Sequence, residues 1–256
     1  MARSSENDVI LHIGIHKTGS SSIQATLRDP GNRRVFENEN IFVPESMPEN
    51  QSGFFQSAFS ARPEQYHANV RNGLSREEIA DRVERISKGF SEELSGRTGT
   101  SVVLSGEDAC VLSVAGLTRM REFLELSVPM LRSIRVVAYA RHPVSYVSSA
   151  VQENVKGNAL TLKRAKEIHI PKGYDRYRTL SERVEEVFGS GSLNLKGFEQ
   201  AVRNQGGVVE DFVGTLGVST DRLRIYRRNE GVSTEAIVLL SELRDRGCGL
   251  TANDIR

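Results

Sequence analysis

An α/β fold with a central parallel sheet is predicted by three features of this 256-residue chain. Three short β-branched runs, Val9 to Ile13, Ser101 to Ser105 and Ile134 to Ala140, each lead into a polar or glycine-bearing turn and then into a segment with helical spacing. The last run is apolar on both alternating faces apart from Arg135, as a strand covered by helices on both sides must be. No Pro/Gly/Ser-rich linker, internal repeat or low-complexity stretch interrupts the alternation. A single domain over 1–256 with a helical C-terminal part is therefore expected.

The elements follow in order. After the first strand, Ile23 and Leu27 form the apolar face of a helix, and Ile41 to Val43 reads as a short strand. Residues 40–73 hold three prolines and the pair Phe54-Phe55 without a sustained period, which predicts a long loop. Such a loop either closes over a substrate as a lid or is a surface insertion. Ser75-Arg76-Glu77-Glu78 is a capping box, and Ile79, Val83, Ile86, Phe90 and Leu94 then recur at helical spacing. Further helices are predicted at Leu117–Leu126, Val144–Lys156, Tyr174–Phe188, Val208–Leu216 and Thr234–Arg246, with Gly217 and Gly247 as C-terminal stops. Leu223 to Tyr226 reads as a late strand.

Composition excludes several classes of function. The 34 Lys and Arg against 33 Asp and Glu leave no global field to hold nucleic acid or an anionic membrane, so any anion site must be local. No apolar run approaches the roughly 18 residues of a membrane span, and the five apolar residues from Val9 to Ile13 are too few for a signal-peptide core, so a cytoplasmic location is expected. Cys110 and Cys248 make neither a disulfide framework nor a zinc motif, and Asp, Glu and His are nowhere at metal-ligand spacing. No metal is expected.

The strongest local signal is the run Leu11-His12-Ile13-Gly14-Ile15-His16-Lys17-Thr18-Gly19-Ser20-Ser21-Ser22. A strand, a turn with two glycines and a helix start together direct backbone N–H groups and the positive end of a dipole at one point, where an anionic oxygen cluster belongs. Gly14 and Gly19 have the spacing of the nucleoside-triphosphate loop, but Ser20 stands where that motif needs Lys, and the lysine is Lys17 instead. A lysine inside the loop suits the leaving of a bridging phosphate oxygen, and hence transfer of a group other than a γ-phosphoryl. The plainer reading is a tight turn with Ser20 to Ser22 capping the helix.

A second constellation follows the third strand in Arg141-His142-Pro143-Val144-Ser145-Tyr146-Val147-Ser148-Ser149. Pro143 starts a helix, Arg141 stands at the carboxyl end of the strand, and Ser149 lies about two turns on. A guanidinium fork plus a hydroxyl suits a terminal phosphate.

The two motifs, in this order, resemble those of sulfotransferases. The loop resembles the one that holds the 5'-phosphosulfate of 3'-phosphoadenosine 5'-phosphosulfate (PAPS), and Arg141-x7-Ser149 resembles the family's 3'-phosphate motif. Gly197-Phe198-Glu199 and Gly206-Gly207-Val208-Val209-Glu210-Asp211-Phe212-Val213 with Leu216-Gly217 are similar to the tails of bacterial sulfotransferase-like proteins. The resemblance spans about Val9 to Ala236. It implies a P-loop-type three-layer α/β/α fold and sulfuryl transfer from PAPS to a hydroxyl or amine. By it, the loop with Lys17, Thr18, Gly19, Ser20, Ser21 and Ser22 binds the donor's 5' end, and Arg141 with Ser149 binds its 3'-phosphate. Lys17 is further expected to stabilise charge on the leaving oxygen.

A base is needed for the acceptor's proton. Glu107, at the carboxyl end of the Ser101 to Ser105 strand, is the first choice, since relatives carry Glu or His at that strand end; His16 and His142 are the others, and Asp108 reads as a helix cap. Gln51-Ser52-Gly53 stands where relatives carry a His-bearing stretch, which points to an altered substrate contact. Arg227-Arg228-Asn229-Glu230-Gly231 is a loose analogue of the adenine loop of eukaryotic relatives. From Lys156 to Arg178 seven basic residues face two acidic ones, either an acceptor surface or a solvated helix face, with too few aromatics for nucleic acid. The acceptor classes that fit are a saccharide, a lipid-linked glycan or a small metabolite. Nothing in the sequence speaks to oligomeric state. Two rivals are a nucleotide-dependent kinase, which lacks its Lys at position 20, and a non-catalytic nucleotide-binding module of the same fold.

Overall fold

The computed structural model describes residues 5–157, 160–169, 176–228 and 234–246. The chain forms two compact units, one of Met1–Ala140 with Leu180–Arg228, the other of Arg141–Thr179 with Asn229–Arg256.

The first unit is built on a five-stranded parallel sheet of order β2-β3-β1-β4-β5, with β1 Asn7–His12, β2 Ile41–Phe42, β3 Ser101–Ser105, β4 Leu131–Ala140 and β5 Leu193–Gly197. The central β1 is buried along its whole length, Val9 and Leu11 on one face as fully as Ile10 and His12 on the other. A strand with no exposed face needs helices on both, which is the three-layer arrangement the sequence predicts. One layer comprises α1 (Ser20–Arg28), α2 (Pro30–Asn38), α10 (Phe198–Asn204) and α11 (Val208–Thr215). From it Ile23, Leu27, Phe36, Ala201, Val208, Val209, Phe212 and Val213 pack on Ile10, Val103, Val137 and Tyr139. The remaining helices of this unit include α3 (Ser52–Phe59), the short α4 (His67–Arg71), α5 (Arg76–Leu94) and α6 (Val114–Ser127). The capping box of α5 forms as predicted, with Ser75 Oγ accepting from the Glu78 N–H and Glu78 accepting from the Ser75 N–H.

The structure corrects two expectations and adds a strand. Residues 40–73 are not one long loop: beyond β2 they hold α3, a 3-10 turn at Pro63–Gln65 and α4. Phe54 and Phe55 belong to the core, within an aromatic cluster of Phe59, Phe90 and Phe123, and the eight residues of α3 are too short a run for helical periodicity to show among the flanking prolines. The late strand at Leu223 to Tyr226 does not form. That segment is extended, but its main chain pairs with helix side chains, Arg224 with Asn32, Tyr226 N–H with Thr26 Oγ1 and Arg228 N–H with Ser22 Oγ. The alternation of a strand is present without a strand partner. Conversely β5, an edge strand that is only half-buried, has too polar a pattern to read as a strand from sequence.

The second unit comprises α7 (Pro143–Gly157), α8 (Leu162–His169) and α12 (Thr234–Asp245), with the start of α9 (Arg176–Phe188), whose remainder belongs to the first unit. Val151 and Val155 of α7, Ala165 of α8 and Ile237 and Leu240 of α12 form its core. Ser241 Oγ accepts from the Leu162 N–H at 2.8 Å and Arg244 donates to the carbonyls of Val155 and Leu160. Within the basic stretch, Lys163, Arg164 and Lys166 lie on the exposed face of α8 and Arg164 pairs with Glu167; Lys172, Tyr174 and Asp175 lie outside the described residues, as do Asn229 to Gly231, Gly247 and Cys248. Among the described residues no helix is long and apolar enough to cross a membrane.

His12 shows what this core imposes on a titratable group. It is completely buried at the end of β1 against Tyr139 and Phe212, with Nδ1 2.8 Å from Ser105 Oγ. Burial pushes its pKa down to about 4, although the charge of Glu107 opposes this. Between pH 6.5 and 4 the unfolded chain therefore binds a proton that the folded one refuses, and stability falls as pH falls through that window. The loss expected from His12 is about 3 kcal/mol. Urea denaturation at pH 7 and pH 4 should show that loss in the wild-type protein, and a His12→Gln variant should lack it.

Candidate active site

β1 ends at His12 and α1 begins at Ser20, so residues 13–19 must reverse the chain in a short space. Two left-handed residues do it, Lys17 at φ 70° and Gly19 at φ 81°. Gly19 also lies so close to α11 that a Cβ there would stand 2.4 Å from Val208 Cγ1. Gly19→Ala combines a left-handed alanine with an overpacked contact and is expected to cost about 1–3 kcal/mol, measurable by denaturation; an unchanged midpoint would show that the loop relaxes freely. A Cβ on Gly14 would meet Ser20 Oγ at 2.3 Å and Glu107 Cβ at 3.1 Å, so the loop, the start of α1 and the end of β3 converge on one cradle.

The hydroxyls predicted to hold the donor divide. Thr18 is fully buried and donates to the Ile15 carbonyl at 2.5 Å, holding the turn together. Ser22 accepts from the Arg228 N–H, tying α1 to the extended segment. Ser21 is half-buried on the first turn of α1. Ser20 differs from all of these: its Oγ is buried in the cradle and has no hydrogen-bond partner. A buried hydroxyl left so costs on the order of 1–3 kcal/mol, which a bound oxygen would recover. Gly19 supplies no capping side chain, and the positive end of the α1 dipole points into the same cradle.

The carboxylates come from the turn after β3. Hydrogen bonds from the Gly106 N–H to the His12 carbonyl and between Gln51 and Ser105 fix the β3 end beside β1. Glu107 then faces the loop, with Oε2 3.7 Å from His16 Nδ1. On the other side of the ring His16 Nε2 lies 3.2 Å from Asp108 Oδ1. Burial pushes the Glu107 carboxyl up, but the neighbouring His16 imidazole and the charges of Lys17 and His12 together outweigh it and hold the carboxyl below its ordinary value. Two of the three proposed bases, Glu107 and His16, are thus one cluster with Lys17 at its edge. Asp108 is not the helix cap it resembles: its Oδ2 accepts from the Tyr66 hydroxyl at 2.7 Å. Gln51 and Ser52, in the stretch where an altered substrate contact is expected, are buried supports of Ser105 and Asp108.

In the second unit Arg141 and His142 precede α7, and Ser149 is half-buried six positions after Pro143, about 9 Å along its axis. The Tyr177 hydroxyl accepts from the Arg141 N–H at 3.0 Å and donates to the Arg141 carbonyl at 2.5 Å, pinning that main chain. His142 Nδ1 accepts from the Val144 N–H at 3.3 Å, a capping contact. Tyr66 and Tyr177 are supports that the sequence reading missed, and neither carries a motif that would have revealed it. Among the described residues no group of three or more His, Cys, Asp and Glu is arranged to hold a metal ion.

No protein-family model matches the sequence and no curated protein is significantly similar to it. Solved structures are similar in fold. A sulfotransferase from Alicyclobacillus acidocaldarius superposes with a TM-score of 0.51 at 20% identity, covering 97% of this chain and 92% of that one. The sulfotransferase domain of the Synechococcus PCC 7002 olefin synthase gives 0.48 at 13% identity over 97% and 90%. That of the curacin biosynthetic pathway gives 0.44 at 15% over 90% and 82%. The chain thus has a sulfotransferase-like α/β fold, on the strength of the first of these.

Proposed function

We propose that the protein is a sulfotransferase that moves the sulfuryl group of PAPS to a hydroxyl or amine of an acceptor. The observation that carries this reading is the unsatisfied, buried Ser20 hydroxyl inside a glycine cradle whose lysine, Lys17, lies within the loop. A loop so built offers hydrogen-bond donors and a helix dipole to a phosphosulfate, without the lysine at the helix start that a γ-phosphoryl site uses. Bound there, PAPS supplies an activated sulfuryl group joined to phosphate through a bridging oxygen.

The chain's own residues do the rest. Ser20, Ser21 and the loop N–H groups of Thr18 and Gly19 hold the 5' end, with Thr18 and Ser22 keeping the loop in shape. Arg141 and Ser149 take the 3'-phosphate. Lys17 neutralises charge on the bridging oxygen as the bond to sulfur breaks, and Glu107 receives the acceptor's proton. Positioning and electrostatics of this kind account for most catalysis of in-line group transfer.

A thermal-shift comparison of adenosine 3',5'-bisphosphate with ATP plus magnesium tests the reading. At a hundredfold excess over its dissociation constant the true ligand adds about 2.7 kcal/mol. Stabilisation by ATP alone would favour a kinase-like site. Stabilisation by the bisphosphate without PAPS turnover on any acceptor tried would favour a non-catalytic module.

A further inference from the structure

Asp108 is held in place by a segment that the proposed reaction does not otherwise use. Its N–H donates to Ser52 Oγ (3.0 Å), its carbonyl accepts from Gln56 Nε2 (2.7 Å) and its Oδ2 accepts from the Tyr66 hydroxyl (2.7 Å). Oδ1 is left facing His16 Nε2 at 3.2 Å, while His16 Nδ1 faces Glu107 Oε2 at 3.7 Å. The shorter contact, to Asp108, favours the tautomer with its hydrogen on Nε2, which leaves Nδ1 as the nitrogen open to a further proton. Without a proton, Nδ1 turns a lone pair toward a carboxylate. One proton on either atom converts that repulsion into an attraction, which a small approach from 3.7 Å would turn into a charge-assisted hydrogen bond.

We propose that His16 and Glu107 act as one proton-accepting pair at the phosphate loop, and that Asp108, clamped by Ser52, Gln56 and Tyr66, is the positioning residue that fixes the ring for it. The use of the pair in sulfuryl transfer rests on the function proposed above; the shared proton rests on the geometry alone. In transfer, the acceptor's oxygen or nitrogen forms its bond to sulfur as the bond from sulfur to the bridging oxygen breaks, its electron pair staying on the oxygen that Lys17 neutralises. The acceptor's proton passes to Glu107 and on to His16 Nδ1, and the pair ends with one more proton and one more positive charge, facing Asp108. A carboxylate is by itself a weak proton acceptor near neutral pH, and the imidazole beside it, 3.7 Å away, remedies that. The other groups acting on the cluster are the charge of Lys17 and the buried His12, which is neutral from pH 5 upward, while Tyr66 is hydrogen-bonded to Asp108.

Side-chain NMR of the 15N-labelled full chain, titrated from pH 5 to 9 with His16 assigned through His16→Gln, tests this. The pair has one apparent titration that belongs to both groups. Glu107→Gln and Asp108→Asn, each removing a carboxylate from one side of the ring, should each move the His16 midpoint about one pH unit lower. Tyr66→Phe should leave the charges but release the clamp, replacing a fixed Nε2–H tautomer by an averaged one. A midpoint unmoved by Glu107→Gln overturns the pair. A midpoint unmoved by Asp108→Asn, or, should that variant not fold, a tautomer unmoved by Tyr66→Phe, removes Asp108 from the positioning role. Repeating the wild-type titration with adenosine 3',5'-bisphosphate separates the two readings, because absence of binding would overturn the donor assignment and leave the His16 result standing.

Discussion

An Arg141→Ala variant is expected to bind adenosine 3',5'-bisphosphate at most a few-fold more tightly than AMP, against a preference of at least about a hundredfold in the wild-type protein. The two nucleotides differ only at the ribose 3' position. A guanidinium fork can meet a phosphate there with two parallel hydrogen bonds, and leaving such a contact unmade costs several kcal/mol. The variant isolates the side chain, because the Tyr177 hydroxyl grips the Arg141 main chain through both its N–H and its carbonyl. Arg141→Lys keeps the charge but loses the fork and should fall between the two. Ser149→Ala should remove a smaller part of the preference. Calorimetric titration with both nucleotides measures all of these. Equal affinity of the wild-type protein for both would sink the sulfotransferase reading, since a site without a 3'-phosphate contact has no use for PAPS over any other adenine nucleotide.

Lys17→Ala is expected to lower turnover by about a hundredfold to a thousandfold, or 2.7 to 4 kcal/mol, while the nucleotide still binds. In the proposed function the lysine acts mainly as charge develops on the bridging oxygen, so its removal should be felt in the transition state more than in binding. Position 17 has a left-handed backbone at φ 70°, a strain that alanine shares with lysine. The substitution therefore removes the charge without changing the backbone's demands. Lys17→Gly offers the complementary case, with the same loss of rate but a more stable fold, by about 1 kcal/mol, because glycine takes that conformation without strain. Turnover is measured as adenosine 3',5'-bisphosphate formed from PAPS with an acceptor the wild-type protein uses. A rate within threefold of wild type would take Lys17 out of the mechanism.

Most of the sheet and the helices beside it were legible because their signals are local. The β-branched runs at Val9, Ser101 and Ile134 become β1, β3 and β4, and the Ser75 capping box starts α5 where the spacing of Ser75 and Glu78 puts it. A cap joins residues three apart, and a buried strand is marked by its own apolar run, so neither needs knowledge of the rest of the chain. The glycine loop is legible for the same reason: strand, turn and helix start are consecutive, and Gly14 through Ser22 carry the whole arrangement.

What only the tertiary structure decided is which of those loop residues are left to act and what surrounds them. Thr18 and Ser22 look like Ser20 in the sequence, yet one closes the turn through Ile15 and the other anchors Arg228, some 206 positions away. Ser20 is set apart solely by having no partner in a buried place. Asp108 and Tyr66 are 42 positions apart, and Gln51 meets Ser105 across 54. Contacts of that separation leave no periodic trace, because each is set by how the segment from Gln51 to Arg71 folds into helices against the end of β3. Sequence determined the sheet, the glycine loop and the basic and acidic residues available at its edge. Packing determined that a histidine of the loop stands between two carboxylates, since only a contact across some 90 positions brings His16 within 4 Å of both Glu107 and Asp108.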